Sequence, residues 1–260
     1  MFGPGSMMWT INRESVLLIG GRAALLMQLA HPLVAAGVAD HSDFPSDPTR
    51  RLQRTLDAML GITFGDRTTA EAIAGRVSSV HARVQGSAPD GRHYSARDPR
   101  LLSWVYCTLV DSSLRVYEAC VAALSDEDRA RYYDESKEVA RLFQIPGAHI
   151  PASVEDMRAS MRERMASGEV TVTPLARDLA APIINPLPIV PHRLARSADF
   201  VTPALLPRPI REGYGLRTGP PSKLVLALGR GVSRLILPRL PRRIRTWPVA
   251  RKAEGLSLSP

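Results

Sequence analysis

TAEAIAGRVSSVHARVQG, residues 69–86, has the apolar spacing of a helix and not the alternation of a strand. Ile73, Ala74, Val77, His81 and Val84 fall on one face, with Arg76, Ser79, Arg83 and Gln85 elsewhere. His81 therefore stands in an apolar stripe. A buried imidazole must satisfy two ring nitrogens, by protein hydrogen bonds, by water or by ligating a metal. A hydrogen-bonded core histidine is the plain reading and a ligand the sharper one. The segment before it, Asp47–Gly61 (DPTRRLQRTLDAMLG), predicts a helix with Asp47 as N-cap, Pro48 at the first position and Gly61 as its stop. Arg51 and Thr55 lie one turn apart beside the stripe of Leu52, Leu56 and Met59. A short turn joins the two helices, so antiparallel packing would set the Arg51/Thr55 pair opposite the imidazole.

The rest of the chain reads the same way. Asn12 predicts the N-cap of a helix running to Ala30, broken at Pro32, with Gly20 and Gly21 allowing close approach of another helix or a flat ligand. The apolar run Val16–Val38 is interrupted by Arg22, Gln28, His31 and Pro32, which argues for a buried core helix over a membrane span. His41 and Asp43 make an H-x-D that reads as a loop turn. Gly86–Gly91 predicts a turn, and Asp98–Pro99 opens a long central helix to about Leu124, in which Thr108 and Asp111 read as helix-to-helix bonds or as groups orienting a ligand. Ser125 caps a charged amphipathic helix to Phe143. Pro146–Pro151 is a linker, and Ser153–Ser167 a short helix whose Met157, Met161 and Met165 read as adaptable core. Prolines scattered through Thr173–Pro191 and Pro203–Pro209 predict irregular chain with a short helix near Leu175–Ala181. The expectation is one all-α, multi-helix globular domain over 1–260, with a motif-bearing core at about 12–145 and a Pro-rich wrap at about 146–260.

Composition narrows the function. Hydrophobic residues at 45% and charged residues at 23% are those of a globular protein. The net charge of +9 suits an anionic partner, but aromatics at 5% give no stacking surface for nucleic acid. Cys107 and Cys120 sit on one predicted helix, roughly 20 Å apart, and cannot bridge. With no secretory signal pattern, a reducing, cytoplasmic setting is expected. E-x-x-H, H-E-x-x-H, G-x-G-x-x-G and Walker patterns are absent, which removes the usual di-iron and nucleotide chemistries. Ser222–Arg245 alternates aliphatics with arginines and reads as a terminal packing helix, or as an interfacial helix making peripheral contact with an anionic membrane.

Four motifs in order carry a resemblance. Gly20–Ser42 (GGRAALLMQLAHPLVAAGVADHS), Arg51 with Thr55, Val80–Gly86 (V-H-x-x-V-x-G) and Tyr94–Leu109 (Y-x-A-x-D-P-x-L-L-x-W-V-x-x-T-L) are similar to the MpaB-type oxygenases, which include the catalytic domain of latex-clearing rubber oxygenases. The resemblance thins beyond about Ile145. It implies an all-helical fold and haem b, with His81 as axial iron ligand and Arg51 and Thr55 on the distal side. His31, displaced from regular backbone bonding by Pro32, is the second candidate ligand. Some members carry a lysine before the threonine that can ligate iron; Arg54 stands there in this chain, and a guanidinium has no lone pair to offer. The resemblance thus implies an oxygenase acting with O2 on a hydrophobic, unsaturated or isoprenoid-like small molecule. The competing reading is a non-catalytic helical protein that holds a hydrophobic ligand or a membrane surface.

Overall fold

A computed structural model describes residues 1–42, 48–184, 202–216, 231, 234 and 239–257. The architecture is mostly α, with one two-stranded hairpin among the described residues. In order the chain forms α1 (Met7–Asn12), α2 (Leu17–Leu29), α3 (Pro32–His41), α4 (Pro48–Phe64), α5 (Arg67–His81), β1 (Gln85–Ser87), β2 (His93–Ser95), α6 (Pro99–Cys120) and α7 (Asp126–Leu142). A 3-10 turn at Gly147–His149 leads to α8 (Val154–Ala166) and α9 (Pro174–Ile184). Then come α10 (Arg208–Gly213), α11 (Arg242–Arg245) and α12 (Pro248–Ser257).

Helix α6 is the centre. Asp98 caps it by accepting from the Arg100 amide at 2.8 Å, and Pro99 at its first position has no amide to leave unpaired. Its buried faces meet α2, α7 and α8. Contact with α2 is closest because α2 offers small residues there. A Cβ on Gly20 would stand 2.8 Å from Val116 Cγ1 and 3.1 Å from the Ser112 carbonyl, and Ala23 and Ala24 are buried on the same helix. Hydrogen bonds then pin the pair: Trp104 Nε1 donates to the Met27 carbonyl at 3.1 Å and Gln28 Nε2 to Thr108 Oγ1 at 3.2 Å. Thr108 is thus a helix-to-helix link. Asp111, also buried, pairs with Arg115 on its own helix and with Arg158 Nε of α8 at 2.9 Å. Cys107 and Cys120 are both free and buried. Met157 and Met161 are core, with Met165 packed at the edge.

Several boundaries differ from the sequence expectations, each for a local reason. Asn12 ends α1 and does not cap α2; the break at 13–16 exists because Glu14 and Ser15 bond to the C-terminal segment. Gly61 does not stop α4, which runs on to Phe64. Position 61 is where Ile73 of α5 crosses, with its Cδ1 2.4 Å from where a Cβ would lie. Asp66 caps α5 by accepting from the Thr69 amide at 2.7 Å. That helix ends at His81, so Val84 and Gly86 belong to a turn and to β1. α6 ends at Cys120, before Leu124. His41 is helical and not in a loop, and it closes α3, whose axis bends 102° from α2 at the His31–Pro32 break. Asp43, Asp47 and most of Ser222–Arg245 lie outside the described residues. No single described helix is long and apolar enough to cross a membrane.

The C-terminal strap is tied to the N-terminal segment by an ion pair with a buried carboxylate. Glu14, 1% exposed, accepts from Arg245 Nε at 2.7 Å and Nη2 at 2.6 Å. Backbone bonds run beside it, Ser15 N to Arg245 O at 2.8 Å and Trp247 N to Arg13 O at 3.0 Å. Removing the Glu14 charge leaves Arg245, 18% exposed, within reach of water, so the loss is that of its charged hydrogen bonds, about 1.5–3 kcal/mol. Glu14→Gln is therefore expected to lower the urea midpoint at an unchanged slope by roughly 0.5–1.5 M, that loss divided by a slope of about 2–3 kcal/mol/M. A midpoint equal to that of the parent chain would show that the pair contributes nothing to stability.

Candidate functional site

Helices α4 and α5 form an antiparallel hairpin, with Gly61 beside Ile73 near its closed end. Toward its open end Arg54 and Thr55 of α4 and His81 of α5 line one cavity. The cavity has two lobes, of about 500 Å³ and about 390 Å³. They share the wall residues Leu25, Gln28, Arg54, Thr55, His81, Leu102 and Val105, so the imidazole, a hydroxyl and a guanidinium stand at the junction. Both volumes lie in the range of small-molecule sites, roughly 300–1,000 Å³.

The V-H-x-x-V-x-G motif now has a geometric meaning. His81 is the last residue of α5, half-buried, and its carbonyl accepts from the Val84 amide at 3.1 Å as the chain turns. Val84 returns to the wall of the first lobe. Gly86 pairs with Tyr94 across the hairpin, and a Cβ there would meet the Tyr94 hydroxyl at 2.5 Å. Tyr94 itself donates to Asp40 Oδ2 at 2.5 Å, and burial, followed by that carboxylate, pushes its pKa up to about 12. The hairpin is thereby clamped to α3, with Tyr94, Ser95 and Ala96 added to the first lobe.

The second lobe is walled by α2, α4 and α6. Gly21, where a Cβ would meet nothing within 4 Å, lines it, whereas Gly20 beside it packs on α6. The polar side chains of its wall bond mainly to protein. Thr63 Oγ1 donates to the Met59 carbonyl at 2.8 Å, Asn12 Oδ1 accepts from Tyr132 at 3.3 Å, and Tyr106 shares a 2.7 Å bond with Ser136. Ser112 Oγ is buried without a partner.

The other sequence candidates fall in different places. Arg51 is on α4 one turn before Thr55, and its side chain is outside the described part. His31 lies in the wall of neither lobe. It caps α3, its Nδ1 accepting from the Leu33 amide at 3.2 Å, while Nε2 stands 3.6 Å from Glu169 Oε1, too far for a hydrogen bond. Glu169 also faces Arg100 at 3.4 Å and Arg164 at 3.9 Å. Desolvation by burial lowers the His31 pKa below its ordinary 6.5, against the opposing pull of Glu169. Sequence reasoning passed over Gln28, noted only as a break in an apolar run, and Trp247, which lines the second lobe from the far end of the chain. The one signal for Gln28 was its polarity within that run; Trp247 had none.

Among the described residues no group of three or more His, Cys, Asp or Glu could hold a metal ion. The donor set at the junction suits a metal that brings its own equatorial nitrogens and asks the protein for one imidazole, which is what a haem requires. The apolar walls, the open surface at Gly21 and the cation of Arg54 fit a flat hydrophobic macrocycle with acidic side groups.

The family model described as "ER-bound oxygenase mpaB/B'/Rubber oxygenase, catalytic domain" matches residues 8–236, nearly the whole chain. The protein belongs to this family of oxygenase catalytic domains. Comparison with curated proteins and with solved structures gave no match.

The placement of His31 has a testable consequence. Its folded pKa is depressed, so the unfolded chain takes up the proton first. The stability it contributes is fully present above pH 6.5 and is lost as pH falls toward the folded value. Urea midpoints measured from pH 7.5 down to about pH 5 should fall less steeply for His31→Asn, which keeps an N-capping side chain. Parallel profiles for the two proteins would show that His31 is not held neutral.

Proposed function

We propose that this protein is a haem b-dependent oxygenase that uses O2 on a hydrophobic small molecule, with His81 as the residue that would hold the iron. The observation that carries this reading is the coincidence of His81, Thr55 and Arg54 at the junction of two apolar lobes, in a chain of an oxygenase family. Bound there, the haem would supply electrons to O2, chemistry that no side chain of the site can perform. His81 would hold it, and Gly21, Leu25 and Arg54 would line its site. Arg51 extends the same helix one turn away, as a hydrogen-bond donor or as a partner to a propionate.

The chain's own residues have definable tasks. His81 closes a helix, and its carbonyl is held by the Val84 amide as the chain turns toward the Tyr94 hairpin. Thr55 holds a hydroxyl at the junction, able to donate to developing negative charge. The aliphatic walls exclude water and orient an apolar substrate. His31 is the weaker candidate for the iron because it lies outside both lobes and has a structural role as a cap.

His81→Ala should fold, since alanine is the best helix former, and should lose the Soret absorbance of the haem-supplied protein. His31→Ala should keep it. The opposite pattern would move the iron to His31, and a colourless parent protein from haem-replete cells would overturn the haem reading altogether. Thr55→Val keeps the shape and removes one donor, so unchanged haem content with O2-dependent turnover lowered on the order of a hundredfold is expected.

Membrane contact is a second component of the proposal. Ile244 is 60% exposed between Arg243 and Arg245 and beside Arg242, as an interfacial segment would be. Co-sedimentation with vesicles containing phosphatidylserine should weaken as salt is raised. Equal binding to neutral phosphatidylcholine vesicles would count against an electrostatic contact.

A further inference from the structure

The two lobes differ in what they can hold. Gly21, with its open surface, lines the second lobe and not the first, which leaves the first to the substrate. Much of the first lobe's wall is carbon: Leu29 and Leu101 are buried, with Val34, Leu102 and Ile183 in the same wall. Its exposed lining residues are His41, Arg54, Thr55 and Val80, so the lobe opens between the ends of α3 and α5 and the side of α4.

Polar groups around this lobe already have protein partners at several points. Gln28 and Tyr94 donate to Thr108 and Asp40, and Ser95 Oγ accepts from the Arg97 amide at 3.2 Å. His41 differs. Its Nε2 lies 3.1 Å from the Gln85 carbonyl oxygen, and because a carbonyl can only accept, Nε2 carries the hydrogen. The neutral ring therefore has its lone pair at Nδ1, which has no partner among the described residues. The Tyr94 ring packs edge-on beside the imidazole, 6.1 Å between centroids, so His41 is set against the hairpin that is clamped to α3. The lobe thus joins an apolar interior to a neutral hydrogen-bond acceptor at its mouth.

We infer that the first lobe takes an apolar alcohol, with its carbon body against Leu29 and Leu101 and its hydroxyl donating to Nδ1 of His41. His41 is then a specificity-determining residue. It separates a hydroxylated molecule from a hydrocarbon or an ether of the same length, because neither of those has a hydrogen to give. The inference deepens the proposed function by naming the substrate's class, and it rests on the second lobe being the cofactor's.

The test uses the full chain and needs no haem signal. Titration calorimetry at about pH 8, where an ordinary imidazole is neutral, compares decan-1-ol with 1-methoxydecane, which keeps the oxygen and lacks the hydrogen. The ratio of the two affinities should fall about fivefold in His41→Leu, the worth of a neutral hydrogen bond. It should be kept in His41→Gln, whose amide can donate to the Gln85 carbonyl and accept from the alcohol. An unchanged ratio in His41→Leu, or no binding of decan-1-ol to the folded parent protein, would overturn the inference. So would decanoate binding more tightly than decan-1-ol in both the parent and His41→Leu, which would assign the mouth to Arg54 as a carboxylate site. Nitrogen NMR of imidazole-labelled protein reads the contact directly: the Nδ1 resonance of His41, assigned by its loss in His41→Gln, should move with decan-1-ol and stay with 1-methoxydecane. Equal shifts with both ligands would refute the hydrogen bond. The two readings fail separately: colourless protein that still shows the His41-dependent preference sinks the haem assignment alone, and haem-loaded protein without that preference sinks this inference alone.

Discussion

Helix α2 lies against α6 as closely as it does because position 20 has no Cβ to meet Val116 and the Ser112 carbonyl. That one contact sets the geometry of everything around the cavity. It brings Leu25 and Gln28 to face Leu102 and Val105, the four apolar and amide residues that wall the junction from one side. It also leaves Gly21, the next residue, turned to open space instead of to protein. Interiors are close-packed, so a side chain at position 20 could be accommodated only by moving α6 or α2, and either movement would reshape both lobes.

The opposite wall depends on a second economy of atoms. Gly61 lets Ile73 cross α4 without displacing the helix, and the resulting hairpin carries Thr55 and His81 to the same height. His81 then sits where a helix ends, which gives it a position defined by backbone bonds on one side and by the clamped β-hairpin on the other. Gly86 serves that clamp, since the Tyr94 hydroxyl occupies the space a Cβ would need. The residues of the resemblance motifs thus include packing residues. Many others, among them Leu25, Gln28, Thr55, His81, Val84 and Val105, line the cavity, and the rest hold them in place.

The strap shows how a late segment can finish a site begun early in the chain. A carboxylate as shielded as that of Glu14 is tolerable only with a charged partner and further hydrogen bonds. Arg245 meets it with two donors, and the adjoining backbone bonds align Trp247 with the end of α4. The same interaction therefore breaks the α1–α2 helix at 13–16, anchors the C-terminal segment and brings Trp247 to the wall of the second lobe.

The helical class, the cap at Ser125, the start of α6 at Asp98–Pro99 and its central place were legible in the sequence. Their causes are local: apolar spacing at helical period, and side-chain oxygens that satisfy the first amides of a helix. The ordered motifs also pointed to the oxygenase family before any coordinate was considered. Helix ends were read less well where a distant residue decided them, as at Asn12, where Glu14 and Ser15 leave the helix to bond with residues more than two hundred positions away. Gly61 had the composition of a stop and the function of a crossing point, a difference visible only once Ile73 is in place. The separation of His31 from His81 was likewise beyond the sequence, because both are histidines in apolar surroundings, and only packing decides which one borders a cavity and which caps a helix. Trp247 is the extreme case: its role exists only through contacts between the two ends of the chain, which no local pattern encodes.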